Sequence, residues 1–330
     1  MNIRNNFSPF ILFLIVTLFF TQLWASDIEL LTQYRISGVK SIEKKFDKEL
    51  SKESYWEEYL KDKDIKFGYI ESYKNILACN KSKSDLLLYI KDSNNSYVLQ
   101  KDYSAFTGKI KGDKQREGDL RTPIGVYDLV KKLSDIDAFY GPLAFVTSYP
   151  NIYDKYKGKT GKGIWIHGVP TNKKRDPFTK GCIALANKNI ACLNQILDIN
   201  KTLLIINKNS NYKKVSKKTV AKILSQLYAW RYAWKYNNIK DYLNFYSKNF
   251  VRYDGMKRAE FIRYKKKIFA KNEKKSIVFK NLNVIPYPID KATFKVVFYE
   301  FYKSKNVNFK GKKILIIQLK DSKIKIVTEK

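Results

Sequence analysis

The stretch from Gly163 to Leu185 reads G-I-W-I-H-G-V-P-T-N-K-K-R-D-P-F-T-K-G-C-I-A-L. Two short apolar runs, Ile164-Trp165-Ile166 and Ile183-Ala184-Leu185, flank a polar loop, which predicts two strands joined across it. His167 closes the first run and is the only histidine in the chain; Cys182 opens the second, fifteen residues later. A cysteine acts as a nucleophile only as thiolate, and a nearby imidazole can take its proton. The competing reading is a strand-end histidine and a small buried cysteine, because free cysteines are often buried.

More than two residue types matches a known pattern here. A His-Gly pair, a loop of this length and then Thr179-Lys180-Gly181-Cys182 before an apolar residue resembles the active-site motif of the L,D-transpeptidase catalytic domain (YkuD-like) family. The resemblance implies a mainly β catalytic domain, a YkuD-like β-sandwich. It implies Cys182 as nucleophile, His167 as its base and the Gly168 carbonyl as the group that orients the imidazole. Backbone N–H groups around Gly181 and Cys182 would form the oxyanion hole. Many transpeptidases of the family carry Arg or Asn two residues after the cysteine, and here that position is Ala184. A second shared stretch is Gly118-Asp119-Leu120-Arg121-Thr122-Pro123-Ile124-Gly125-Val126-Tyr127, a Thr-Pro-x-Gly-x-aromatic turn into a strand. Proline presets φ and glycine permits positive φ, so its role reads as architectural. Arg121 is a candidate for a substrate carboxylate, with a solvated turn arginine as the plain alternative. Thr179, Lys180, Gly181 and Trp165 complete the substrate-binding candidates.

The chain has 330 residues, room for two domains at roughly 100–200 residues each. Its 64 Lys+Arg against 31 Asp+Glu give a formal charge of +33. That balance admits polyanionic partners, but the lysines are scattered and form no basic arm. Met1-Asn2-Ile3-Arg4, the apolar run Phe10 to Val16, and Leu23-Trp24-Ala25 before Ser26 have the layout of a secretory signal peptide over 1–25. Left uncleaved, the segment would serve as an anchor, although the run is short beside the ~20 residues of a spanning helix. Export to the periplasm argues against nucleic acid as partner. Three cysteines, Cys79, Cys182 and Cys192, leave an odd thiol in an exported protein. One histidine and dispersed cysteines do not supply the ligand set of a zinc site, and no metal or cofactor is expected.

Residues 26–83 read as a small helical N-terminal region. Val39, Ile42, Phe46 and Leu50 form one stripe, and Tyr55-Trp56 with Tyr59-Leu60 a shorter piece. They would pack on the catalytic domain or on a second copy, as a homodimer. The catalytic domain is expected over 84–208. It begins with a hairpin, Leu86 to Ile90 and Tyr97 to Leu99, around the turn Asp92-Ser93-Asn94-Asn95. Residues 152–162 read as a Lys/Gly-rich connection, either a lid or a plain surface loop. Asn187 is the expected N-cap of a helix whose apolar face holds Ile190, Leu193, Ile196 and Leu197. After a linker at Lys208 to Asn211, residues 212–330 read as helices followed by four long strands, an α+β domain. The aromatic run Leu227 to Trp234 and the stretch Tyr242 to Ser247 resemble the opening of nuclear transport factor 2-like domains, which implies a cone-shaped fold.

Together the three parts resemble the L,D-carboxypeptidases that set cell shape in curved and helical bacteria. The resemblance implies a substrate in peptidoglycan stem peptides, trimmed of terminal D-alanine. The alternatives are an L,D-transpeptidase that forms 3–3 cross-links, and, from a different class, a non-catalytic wall-binding scaffold.

Overall fold

The computed structural model describes residues 9–171, 176–209, 214–290 and 292–330, with side chains from Asp27 onward. The leader expected at 1–25 therefore lies outside the described residues except for its helical backbone from Pro9. Among the described residues no helix is long and apolar enough to cross a membrane.

Two helices open the chain, α1 (Pro9–Glu49) and α2 (Glu53–Tyr59). Gly38 breaks α1 with φ 71° and ψ 177°, a conformation that glycine reaches without a Cβ penalty. The expected apolar stripe of α1 is only half covered, since Val39 and Phe46 are exposed while Leu50 packs on the C-terminal core. Helix α2 does not pack on the catalytic domain. Trp56 and Leu60 enter the core of the C-terminal domain, where Trp56 lies 5.1 Å from the Tyr228 ring. Burying an indole against an aromatic core outweighs the nearer position of the catalytic domain in sequence.

Strands start earlier than expected. After β1 (Tyr69–Ile70) comes β2 (Asn75–Asn80), which is buried at every position. A six-residue strand covered on both faces shows no period-2 alternation, so it does not stand out in a polar, helix-like stretch. Next follow β3 (Asp85–Lys91), β4 (Tyr97–Phe106), β5 (Gly125–Leu133), β6 (Ala144–Thr147), α3 (Ile152–Tyr156), β7 (Trp165–His167), β8 (Ile183–Leu185), α4 (Asn187–Ile196) and β9 (Thr202–Asn207). The expected sandwich closes on itself as a barrel in the order β2-β3-β4-β8-β7-β6-β5-β9, sealed by the parallel pair of β2 and β9. The β3–β4 turn forms as expected: Asp92 Oδ1 accepts from the N–H of Asn94 and of Ser96, and Asn95 takes φ 60°. Leu77, Leu88, Phe145, Ile166, Ile183 and Leu204 fill the interior.

The C-terminal domain holds α5 (Lys217–Lys235), α6 (Ile239–Asn244), α7 (Arg258–Ala270), β10 (Ser276–Pro286), β11 (Thr293–Lys303), β12 (Asn308–Lys320) and β13 (Lys323–Glu329). Its antiparallel sheet runs β1-β10-β11-β12-β13, so the edge strand comes from the N-terminal region. Trp230, Tyr242, Tyr246 and Phe261 are buried core residues, as the aromatic run suggests.

The two domains share an apolar seam. Ile76, Val126, Leu203 and Ile205 of the barrel meet Ile285, Tyr287, Ile316 and Val327. The connection at 152–162 is part of that seam and not a free lid. Asn151 and Asp154 cap α3 reciprocally, Tyr153 packs at 4.8 Å on Tyr287, and Lys159 reaches Asp113 at 2.6 Å and Asp154 at 2.9 Å.

Candidate active site

Strands β7 and β8 run parallel, with Ile166 opposite Ile183 and His167 opposite Ala184. Ile164, Ile166, Ile183 and Leu185 belong to the barrel core. Because side chains alternate, Trp165, His167, Cys182 and Ala184 share the other face. The fold therefore gathers the two candidate catalytic side chains on one face of two neighbouring strands. Two residues back from the His167–Ala184 pair, the Trp165 N–H lies 3.5 Å from Cys182 Sγ, and that sulfur is 3.5 Å from the Gly163 carbonyl.

His167 is 1% exposed. Its Nδ1 lies 2.7 Å from Gly168 O. A carbonyl only accepts, so Nδ1 carries the proton and Nε2 is left as the basic nitrogen. The Tyr140 ring stands edge-on to the imidazole at 5.0 Å and tilts against Trp165 at 5.1 Å. Trp165 thus belongs to the aromatic wall beside the histidine, and Tyr140 is its partner.

The turn before Cys182 is held by Thr179. Its Oγ1 accepts from the Gly181 N–H at 2.9 Å and donates to the Cys182 carbonyl at 2.7 Å. Of the two amides proposed for an oxyanion hole, that of Gly181 is thus committed inside the turn. Gly181 adopts φ 137°, and a Cβ there would lie 2.8 Å from the Arg121 carbonyl. Only glycine fits both conditions. Thr179 is anchored in turn: its N–H donates to Thr107 O at 2.8 Å, and its carbonyl accepts from Lys109 N–H at 3.0 Å. Behind that segment, Gly108 N–H donates to Thr122 Oγ1 at 2.8 Å, so the Thr-Pro-x-Gly turn is the buttress of the cysteine turn. Residues 172–175 of the loop lie outside the described residues.

Arg121 is tied down by its own neighbourhood. Its Nε donates to Lys111 O at 3.0 Å, and a guanidinium nitrogen lies 3.8 Å from Asp119. Burial alone would raise the Asp119 carboxyl. The Lys114 ammonium at 2.7 Å and the N–H groups of Gln115, Arg121 and Arg116 outweigh it and hold the carboxyl well below the usual range. Lys180 is exposed.

The three thiols have distinct surroundings, and none of them is joined in a disulfide. Cys79 is fully buried in β2, and burial pushes its thiol up to about 12. Cys192, in α4, accepts a weak bond from Tyr103 Oη at 3.8 Å. Cys182 is partly exposed.

Asn187 departs from its expected role. The N-cap of α4 is Ala186, which offers no side-chain cap. A polar cap is typically worth ~1 kcal/mol over alanine. The Asn187 amide instead crosses to the histidine loop, accepting from Val169 N–H at 2.8 Å and donating to Val169 O at 3.0 Å. Its type signals a helix start, and nothing in the local sequence shows that its bonds go elsewhere.

Comparisons with known proteins agree with this geometry. The L,D-transpeptidase catalytic domain (YkuD) matches residues 74–206, and the Cds6 C-terminal NTF2-like domain matches residues 222–330. The first span includes β2. Among solved structures, the helical cell shape determining protein Pgp2 from Campylobacter jejuni is 36% identical, aligned over 85% of this chain and 99% of that one with a TM-score of 0.77. Bd1075 of Bdellovibrio bacteriovorus is 26% identical over 78% of this chain and 92% of its own, with a TM-score of 0.63. "Putative L,D-transpeptidase YafK" of Escherichia coli K12 is 33% identical over 112 residues, and this chain spans only 42% of that curated relative. The chain, with its lone histidine closing one strand of a YkuD barrel, Cys182 immediately before the adjoining strand and an NTF2-like domain after it, belongs to the L,D-transpeptidase catalytic-domain family.

Proposed function

We propose that the protein is a cysteine-dependent L,D-carboxypeptidase that removes terminal D-alanine from the tetrapeptide stems of peptidoglycan in the periplasm. The observation that carries this reading is that His167, its Nδ1 held by the Gly168 carbonyl at 2.7 Å, shares one face of the β7–β8 pair with Cys182, a base in one tautomer on the side of a nucleophile.

His167 Nε2 takes the thiol proton, and Cys182 Sγ attacks the carbonyl of the third residue, a diamino acid. Backbone donors stabilise the oxyanion, an effect typically worth ~3–4 kcal/mol per donor. Collapse breaks the C–N bond, His167 returns its proton to the leaving amine, and D-alanine departs. The thioester that remains is cleaved by water, which restores the thiol and leaves a tripeptide carboxylate. With an amine of another stem as acceptor, the same thioester would give a 3–3 cross-link. Ala184 supports water, because the family position that often bears Arg or Asn is here a methyl group opposite His167. The likeness to Pgp2 over nearly its whole length supports a role in cell shape. A homodimer through the exposed Ile36, Val39 and Phe46 of α1, and membrane attachment through a retained leader, are part of the proposal.

The test is mass spectrometry of disaccharide-tetrapeptide incubated with the protein and with Cys182→Ala. Loss of one D-alanine with the wild type alone supports trimming. Cross-linked dimers would make it a transpeptidase, and no product at all would bring the wall-binding reading forward.

A further inference from the structure

We infer that Asn187 is the positioning residue of the catalytic base: it holds the Gly168–Val169 peptide so that the Gly168 carbonyl keeps His167 in the Nδ1–H tautomer. The argument follows from one planar unit. The carbonyl of Gly168 and the N–H of Val169 are the two ends of the same peptide plane and point in opposite directions. Asn187 Oδ1 takes the N–H end at 2.8 Å, and His167 Nδ1 takes the carbonyl end at 2.7 Å. Rotating that plane would break both bonds at once. Asn187 Nδ2 adds a second anchor on the following peptide, donating to Val169 O at 3.0 Å.

Two glycines make room for this clamp. A Cβ on Gly168 would lie 2.3 Å from Asn187 Oδ1, and one on Gly141 would lie 2.6 Å from it. Side chains at either position would expel the amide. The glycine after the histidine thus has a physical reason: it supplies the carbonyl and leaves space for the residue that aims it. Helix α4 starts on Ala186 without a side-chain cap, so Asn187 serves the histidine loop and not its own helix. An amide suits the position because it both accepts and donates, and its neutrality leaves no charge beside the imidazole.

The inference rests on the proposed catalytic role of His167, but its main readout needs no substrate. The chain contains a single histidine, so the protein labelled with nitrogen-15 histidine gives the spectrum of one ring. At a pH where the ring is neutral, the wild type should show one protonated nitrogen, Nδ1, and one bare nitrogen, Nε2. In Asn187→Ala the two signals should move toward each other as the tautomers average. With the tetrapeptide substrate, kcat should fall roughly 10- to 100-fold while KM changes little. Asn187→Ser, too short to reach Val169 yet a good residue at a helix start, should behave the same way and serves if the alanine variant does not fold. A folded variant of either kind that keeps the wild-type tautomer overturns the inference, whatever its activity. If the tautomer averages in the variants but neither wild type nor variant trims the substrate, the inference stands and the carboxypeptidase reading fails.

Discussion

Asp128 of the barrel and Lys295 of the C-terminal domain form an ion pair of 3.0 Å across the domain seam, with Lys295 only 3% exposed. Lys312 reaches the same carboxylate at 3.1 Å, and the Tyr73 hydroxyl donates to it. Burial would raise the Asp128 carboxyl, but the two ammonium groups and the hydroxyl hold it well below the usual range. A depressed carboxyl stabilises the fold above its unfolded value of about 4 and loses that contribution as pH falls toward its folded value. Asp128→Asn leaves a buried ammonium without its counter-charge and should destabilise by about 3–5 kcal/mol at neutral pH. Melting temperatures between pH 3 and 7 check both points. The wild type should lose stability on acidification, and the variant should lose less over the same window.

Thiol reactivity should separate the three cysteines. Iodoacetamide under native conditions should label Cys182 first and leave Cys79 untouched, because Cys79 is fully buried and its thiol is pushed up to about 12. Peptide mapping by mass spectrometry reads the order. Replacing Cys182 with alanine should lower turnover by roughly 10⁴-fold or more, as expected when a covalent nucleophile is lost. Equal labelling of Cys182 and Cys192 would argue that Cys182 is an ordinary surface thiol.

Thr179→Val keeps the shape of the cysteine turn and removes its hydroxyl. Both the Gly181 N–H and the Cys182 carbonyl then lose a partner. An unsatisfied buried group costs about 1–3 kcal/mol, so stability should fall by that order in urea titrations. Turnover should fall as well, and Thr179→Ser should restore both. Unchanged turnover in a folded valine variant would show that the turn holds without its staple.

The N-terminal helix is fastened to α5 by two carboxylates, Glu43, which meets Lys235 at 2.6 Å, and the more deeply buried Asp47. Asp47 is 6% exposed and receives Lys235 at 2.6 Å, the Tyr236 hydroxyl at 2.9 Å and the Arg231 guanidinium. Asp47→Ala leaves Arg231 and Lys235 buried without that carboxylate, a loss of about 3–5 kcal/mol for the docking of α1. Hydrogen exchange over residues 39–50 should accelerate sharply, while exchange in the barrel strands stays near wild type. Equal acceleration in the barrel would mean that α1 supports the catalytic domain directly.

Much of this protein can be read from its residues in order. The histidine strand, the cysteine turn, the hairpin at 86–99 and the helix-then-strand order beyond 212 are local patterns of alternation, turn chemistry and spacing, each contained within a short window. What a window does not contain is which surface an element meets. β2 has no alternation because both of its faces are covered, and only its place between β3 and β9 shows why. Trp56 and Leu60 are plainly apolar, but that they enter the C-terminal core and not the nearer barrel depends on residues more than 150 positions away. The same holds at the site: sequence placed Cys182 and His167 on strands, whereas the parallel pairing of β7 and β8 brought them to one face. Asn187 is the sharpest case. Its chemistry favours a helix start, and only the fold, by setting its amide against Val169 where two glycines leave room, decides that its hydrogen bonds are made across the chain.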